Sequence, residues 1–499
     1  MAIAGIDVGT TGCKCTIYEK DGTFVRESYQ EYDIEKDGGG HELNAWNVWL
    51  AVKDVLKQAA QDTKDIDAIG VTSFGETSIF VGRDGKPLMN SLLYTDPRGE
   101  DQCRELVEHF GRDAISQRTG ANPQSMYSIS KLMWVVQNRK DDVYERTEHI
   151  CQFGDYIVFM LSGRAQIDYS LACRSMAFQV ERKEWDSEIL SYAGIDAEKM
   201  SKPVPTGSSA GRIRKELAEE LEIDPRAVIV SGCHDQVAAA IGTGCLRQGM
   251  AVDGTGTVEC ITPVFGELSD TRELYQYNYV KVPYVCPGSY VTYAFSFNGG
   301  SLLKWYRDQI ARHEAKLYQE QGLNVYDSFN KQMNTGNPSG LLILPYFSGS
   351  ATPYMDVNAV GAIVGLRDTT TSIDIYQGLM EGVTYEMLFN LELLEKAGIQ
   401  VTELRATGGG ARAEAWLQMK ADILNKRIIT LGEAQSGTLG CIMLAGTACG
   451  LYRSLEEAAE IFVKPGKEYT PNQERHREYQ EYYRKYKKMY EAISTIINA

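Results

Sequence analysis

Asp7 and Asp253 each close an apolar lead-in and are each followed at once by glycines and threonines. The two stretches read A-G-I-D-V-G-T-T-G-C-K over residues 4–14 and A-V-D-G-T-G-T-V-E-C over residues 251–260. A turn built of Gly and Thr offers backbone N–H groups and hydroxyls with no bulk between them, which suits a chain of phosphates. One D-x-G-T-x-G is also a common hairpin turn. Two copies, one in each half, point instead to a nucleotide clamped between two related domains. Neither copy is a Walker A loop, because no G-x-x-x-x-G-K-[ST] occurs, and neither keeps the G-x-G-x-x-G spacing. Moving a phosphoryl group to an alcohol also needs charge neutralisation and a base to take the hydroxyl proton. Asp7 either initiates its turn or holds a cation. Asp235, which follows the apolar run 227–233, either caps a helix or serves as that base.

The elements that must position these residues alternate between strand and helix. Strands are expected over 3–7, 14–18, 66–73 and 78–81, with helices over 44–60 and about 99–117. The run 227–233 is a buried strand that feeds a helix of very small residues, 237–244, able to lie close against another backbone. After a boundary near 247–249 the plan repeats, with strands around 279–285 and 290–297 and a long helix over 373–397. A strand at 404–407 then enters three glycines at 408–410, which open a helix at 414–425. The tail from about 472 is a polar helix, its Tyr479, Tyr482, Tyr486 and Tyr490 forming a docking stripe. Strands mixed with helices in this order describe α/β domains.

With 499 residues the chain is too long for one core, so two domains are expected, 1–247 and 248–499. A net charge of −16 argues against nucleic acid or an anionic membrane as partner, and leaves an anionic nucleotide to local donors and a metal ion. No apolar run reaches the roughly 18 residues of a membrane span, and the start has no secretory pattern. The eleven cysteines are scattered without C-x-x-C pairs and read as reduced thiols, which points to the cytoplasm.

Seven separate segments resemble the FGGY family of carbohydrate kinases, and together they span essentially the whole chain. They are I-D-V-G-T-T-G-C-K at 6–14, Y-T-D-P-R at 94–98, M-Y-S-I-S-K-L-M-W-V-V-Q-N at 126–138, G-C-H-D-Q at 232–236, D-G-T-G-T at 253–257, N-G-G-S-L-L-K-W at 298–305 and T-G-G-G-A-R-A-E-A-W at 407–416. A second family signature is kept in part: G-A-I-V-G-L at 361–366 and Asp374-Ile375 agree, whereas Gly378 and Leu379 depart from it. The resemblance implies an α/β, two-domain actin/hexokinase/Hsp70-like (ribonuclease H-like) duplicated fold with a cleft between the domains.

The resemblance also implies roles, residue by residue. Asp235 is the catalytic base, and Asp7 and Asp235 hold Mg²⁺. Thr10, Thr11, Gly12 and Lys14 line the phosphates of ATP from the first domain. Thr255, Gly256, Gly300, Lys304, Gly409, Gly410 and Glu414 hold the nucleotide from the second. Glu76, Gln236, Met126 and Asp235 face the sugar. Glu76 stands where glycerol kinases carry a substrate-binding glutamate and xylulokinases a histidine, but Gly75 and Met126 depart from the glycerol kinase pattern. Asp96 and Arg98 form a structural ion pair, and His234 is packed rather than catalytic. The activity implied is transfer of the γ-phosphate of ATP to a pentulose or hexulose. A polyol kinase (glycerol or a tetritol) and a non-catalytic sugar sensor are the alternatives. The partners implied are a small sugar and, at most, a second copy of the chain.

Overall fold

The computed structural model describes residues 1–37, 39–63, 65–432 and 436–497. The chain divides into two compact units, and neither is continuous in sequence. The first is Met1–Leu246 with Val280–Val291 and Glu433–Lys464; the second is Arg247–Tyr279, Thr292–Gly432 and Pro465–Ala499.

In the first unit, six strands form one sheet: β1 (Ala2–Val8), β2 (Gly12–Glu19), β3 (Phe24–Glu31), β4 (Ile66–Ser73), β5 (Ser208–Arg212) and β6 (Val228–His234). Their order is β3-β2-β1-β4-β6-β5. The three leading strands pair antiparallel, β1 with β4 and β4 with β6 are parallel, and β5 returns antiparallel. β1, β4 and β6 are buried along almost their whole length, which is why they read as unbroken apolar runs. Helix Ala45–Ala59, N-capped by Asn44, packs on one face of the sheet and contributes to its core.

Another face is covered by a helix from late in the chain, Ser436–Ala448 (S-G-T-L-G-C-I-M-L-A-G-T-A). Glycines in the strands let it come close. A Cβ on Gly5 would stand 2.4 Å from the Thr438 carbonyl oxygen, and one on Gly70 2.4 Å from that of Cys441. The small-residue helix Asp235–Gly242 packs on the same helix, with Gly440 against the Ala238 carbonyl. The expected closeness of that helix to another backbone is therefore present.

The second unit repeats the ribonuclease H-like plan. Its strands are β7 (Met250–Thr255), β8 (Glu259–Phe265), β9 (Ala294–Ser296), β10 (Glu403–Thr407), β11 (Arg427–Leu431) and β12 (Pro465–Tyr469). The order β9-β8-β7-β10-β11-β12 carries the same antiparallel, antiparallel, parallel, parallel, antiparallel sequence of pairings. Asp7 and Asp253 occupy the same place, each being the residue before the last parallel pair of its strand, opposite Thr72 and Ala406.

Three expectations are corrected by local geometry. The helix expected over 99–117 is two, Glu100–Phe110 and Arg112–Thr119, divided at Gly111 with φ +82°. The long strands around 279–297 shrink to Val282–Pro283, Tyr290–Val291 and β9. In the tail helix Gln473–Tyr486 the buried tyrosines are 479, 483 and 486, not 482; they surround Tyr385, and Tyr486 donates to Glu386 at 2.6 Å. No helix among the described residues is long and apolar enough to cross a membrane.

Candidate active site

β6 delivers Asp235. The strand end is fixed by Thr72 Oγ1, which donates to the Cys233 carbonyl at 2.6 Å, and by the His234 N–H, which donates to Ser170 Oγ at 2.9 Å. Asp235 then begins its helix, with Gln236 half-buried beside it. The Asp235 side chain is 35% exposed, yet its Oδ1 is fully covered and accepts no hydrogen bond. His234 Nε2 lies 3.3 Å from that oxygen, but burial and the nearby Arg174 guanidinium keep the imidazole neutral. Burial first, then the charges of Asp7 and Glu76, push the Asp235 carboxyl up to about 7. A carboxylate held near neutrality is poised to take a proton.

Asp7 stands at the end of β1, opposite Lys14 on β2. Burial raises its carboxyl to about 6 while the Lys14 charge opposes the rise. The first turn of helix Ser436–Ala448 passes alongside, since a Cβ on Gly437 would stand 2.9 Å from Asp7 Oδ2. The turn after Asp7 is tight: Gly9 N–H donates to the Gly12 carbonyl at 2.9 Å, leaving Thr10 and Thr11 at the tip. Gly12 is small because a Cβ there would stand 2.5 Å from the Tyr29 hydroxyl. Two carboxyls raised by burial, Asp235 further raised by the charge of Asp7 and carrying a covered unpartnered oxygen, fit a hard divalent cation. Mg²⁺ takes one or two carboxylates and keeps its waters. Among the described residues no group of three or more His, Cys, Asp or Glu is placed to hold a metal ion.

Glu76 is buried, in a left-handed backbone conformation (φ +65°), with its carbonyl accepting from Ser128 Oγ at 2.7 Å. Its carboxylate pairs with Arg174, whose Nε donates to Oε1 at 2.5 Å. Glu76 is therefore a buried, paired carboxylate and not a solvated loop charge. Arg174 was not foreseen; one arginine at the end of the short helix Tyr169–Cys173 gives no signal in sequence. Gly75 makes room for it, since a Cβ there would stand 2.9 Å from Arg174 Cγ. Tyr94 is near enough for Glu76 and Asp235 to add to the burial that raises its phenol. Met126 packs against the neighbouring apolar cluster. Asp96 and Arg98 form the expected bidentate pair, at 2.8 and 2.6 Å.

The second unit contains a cavity of about 490 Å³, within the usual range for small-molecule sites. Gly256, Gly300, Lys304, Gly409 and Gly410 line it, together with the side chains of Trp416, Tyr326 and Tyr376. Tyr326 and Tyr376 carried no sequence signal, whereas Trp416 closes the segment 407–416. Two expected residues are absent from the lining. Glu414 points to Lys467, 2.7 Å away on the surface. Thr255 is buried, and its place at the cavity is taken by Thr257.

Thr255 is held by a lysine. Lys420 Nζ, itself buried, donates to Thr255 Oγ1 at 2.7 Å and to Asp253 Oδ2 at 2.8 Å, lies 2.8 Å from Glu259 Oε1, and sits 5.0 Å from the Trp416 ring centre. Burial and the Asp253 charge raise the Glu259 carboxyl, against the pull of Lys420. Thr255 in turn shapes the glycine loop. A Cβ on Gly408 would meet the Thr255 carbonyl at 2.6 Å, and one on Gly410 its methyl group at 2.5 Å.

Comparison with known proteins covers the whole chain. The pattern of the FGGY family of carbohydrate kinases, N-terminal domain, matches residues 2–242, and that of the C-terminal domain of the same family matches residues 267–449. The chain is 26% identical to the xylulose kinase of Bacillus subtilis, over 98% of this chain and 96% of that one. It is 27% identical to the gluconokinase of the same organism, over 95% and 93%. Among solved structures, a xylulose kinase from Rhodospirillum rubrum superposes over the full length of both chains with a TM-score of 0.90 at 21% identity.

Proposed function

The chain belongs to the FGGY family of carbohydrate kinases, and from that premise we propose that it transfers the γ-phosphate of ATP to a hydroxyl of an open-chain ketose, a pentulose before a hexulose. The observation that carries this reading is Asp235: a carboxylate raised to about 7, open to solvent on one side, with a covered oxygen that has no partner on the other. Full-length similarity to xylulose kinases supports the pentulose.

In this mechanism Asp235 accepts the proton of the attacking hydroxyl. The Glu76 carboxylate, paired with Arg174 through Oε1, accepts from the sugar hydroxyls, and Gln236 donates to another. Thr10, Thr11 and Lys14 receive phosphate oxygens. Gly256, Gly300, Lys304, Gly409 and Gly410 hold the nucleotide, with Trp416 and the two tyrosines along the base or ribose. Asp7 and Asp235 would hold Mg²⁺, which supplies charge neutralisation at the phosphates when bound. We assign the enzyme to the cytoplasm, where its cysteines stay free.

The test is ADP release over a panel of ketoses, aldoses and polyols, with Asp235→Ala beside the wild type. Wild-type turnover is expected with a pentulose. The variant should lose at least about a thousandfold in kcat while still binding ATP. Full turnover by the variant, or no ADP release with any sugar, would end the proposal.

A further inference from the structure

We propose that the buried Glu76–Arg174 pair makes the sugar site selective for an uncharged polyhydroxy substrate and against a sugar acid. The inference rests on the preceding reading, that the sugar lies beside Asp235, and it answers a question sequence similarity leaves level, since identity to a xylulose kinase and to a gluconokinase differs by one percentage point.

A buried guanidinium facing a sugar site would ordinarily be a carboxylate receptor. Here that capacity is already filled. Arg174 Nε and a terminal nitrogen both contact the same oxygen, Oε1 of Glu76. Both side chains are almost fully buried, at 7% and 5% exposure, so neither swings out to solvent. The guanidinium carbon lies 5.1 Å from the centre of the Tyr127 ring, which backs its face, and the Gly75 backbone closes against its aliphatic stem. On the other partner, the Glu76 backbone is pinned in its left-handed conformation by Ser128. The pair is therefore held in place with its charges opposed, and what its acidic member can offer a substrate is a hydroxyl acceptor.

The surrounding charges act in the same direction. The groups facing this region are the carboxylates of Asp7, Asp235 and Glu76, the cations of Arg174 and Lys14, and the neutral imidazole of His234. Lys14 lies across the strand pair from Asp7, and Arg174 is committed to Glu76. A substrate carboxylate would meet the like charges of Asp235 and Glu76, and the two cations beside them, Arg174 and Lys14, each already face a carboxylate. Hydroxyls meet only acceptors and donors they satisfy.

The experiment compares wild type, Glu76→Gln and the double variant Glu76→Gln/Arg174→Met, with xylulose and gluconate as probes and ADP release as readout. Wild type should favour the pentulose in kcat/KM by at least about a hundredfold, a discrimination in the range that unpaired buried polar groups produce. Glu76→Gln frees the guanidinium and should narrow that ratio by at least about tenfold. The double variant, with no freed charge, should lose the gained aldonate turnover. A wild type that prefers gluconate, a ratio narrowed by less than this in Glu76→Gln, or a gain that persists in the double variant would each overturn the inference. Should the variants fail to fold, wild type alone decides: gluconate should inhibit pentulose phosphorylation only at concentrations about a hundredfold above the pentulose KM, and tighter inhibition overturns the inference. Turnover of gluconate alone sinks this selectivity and leaves phosphoryl transfer standing, whereas silence with every sugar sinks the kinase reading itself.

Discussion

Asp7 and Asp253 occupy equivalent positions on strands paired in the same way, yet their carboxylates are met differently. Across from Asp7 stands Lys14 on the neighbouring strand, and the covered oxygen of Asp235 accepts no hydrogen bond. Across from Asp253 stands Ile261, and the buried ammonium of Lys420 reaches in from helix Glu414–Leu424 to bind Asp253 and Thr255 together. The same turn motif has been put to two uses. In the first unit the carboxyl is buried and raised, a rise opposed by the charge of Lys14 across the strand pair. In the second, charge is satisfied internally, and the loop serves as a rigid wall for Gly408–Gly410 and the cavity behind Trp416.

The comparison can be broken most sharply at Asp7. Asp7→Ala should lower kcat at least a thousandfold, about 4 kcal/mol of transition-state stabilisation, and leave the melting temperature nearly unchanged; turnover measured across a Mg²⁺ titration checks it. Equal loss of activity and stability would mean that both aspartates are structural. Next in size, Lys420→Met strands Asp253 and Glu259 without their cation and should destabilise the protein by about 3–5 kcal/mol in urea unfolding. A variant as stable as wild type would show that the lysine is dispensable packing. The smallest effect belongs to Glu259. The folded chain keeps a proton on this carboxyl above the ordinary range, a proton the unfolded chain releases near 4.5, so the network's stability is greatest in acid and falls as pH rises. Glu259→Gln should flatten that fall by about 1 kcal/mol across neutral pH, read from thermal melts at successive pH values. An unchanged slope would place the proton elsewhere.

Much of this was legible in the sequence. The strands leading to Asp7, Asp235 and Asp253 are mostly apolar because they are central and buried, so their extent could be read within a residue or two. Turn chemistry marked both hairpins; of the glycines lining the cavity, Gly300 and Gly410 would bring a Cβ against the Gly256 carbonyl and the Thr255 methyl, while Gly256 and Gly409 have open space around them. What remained hidden depends on distant pairing. Arg174 meets Glu76 across 98 positions and Lys420 meets Asp253 across 167. A buried charge looks in sequence like any solvated one until its partner is known. Glu414 was misplaced for the opposite reason: its motif neighbours line the cavity, but its own position on the first helical turn directs it to Lys467.

The helix Ser436–Ala448 carries a consequence for how the molecule is made. The strands of the first sheet leave the ribosome long before the backbone that fits their glycine-lined face and lies against Asp7. A nascent chain cut at residue 247 would present Gly5 and Gly70 as a bare apolar trough, open to aggregation or to a holding chaperone. The closing of that trough waits on synthesis of residues 436–448, and a truncation before them takes away the backbone beside Asp7.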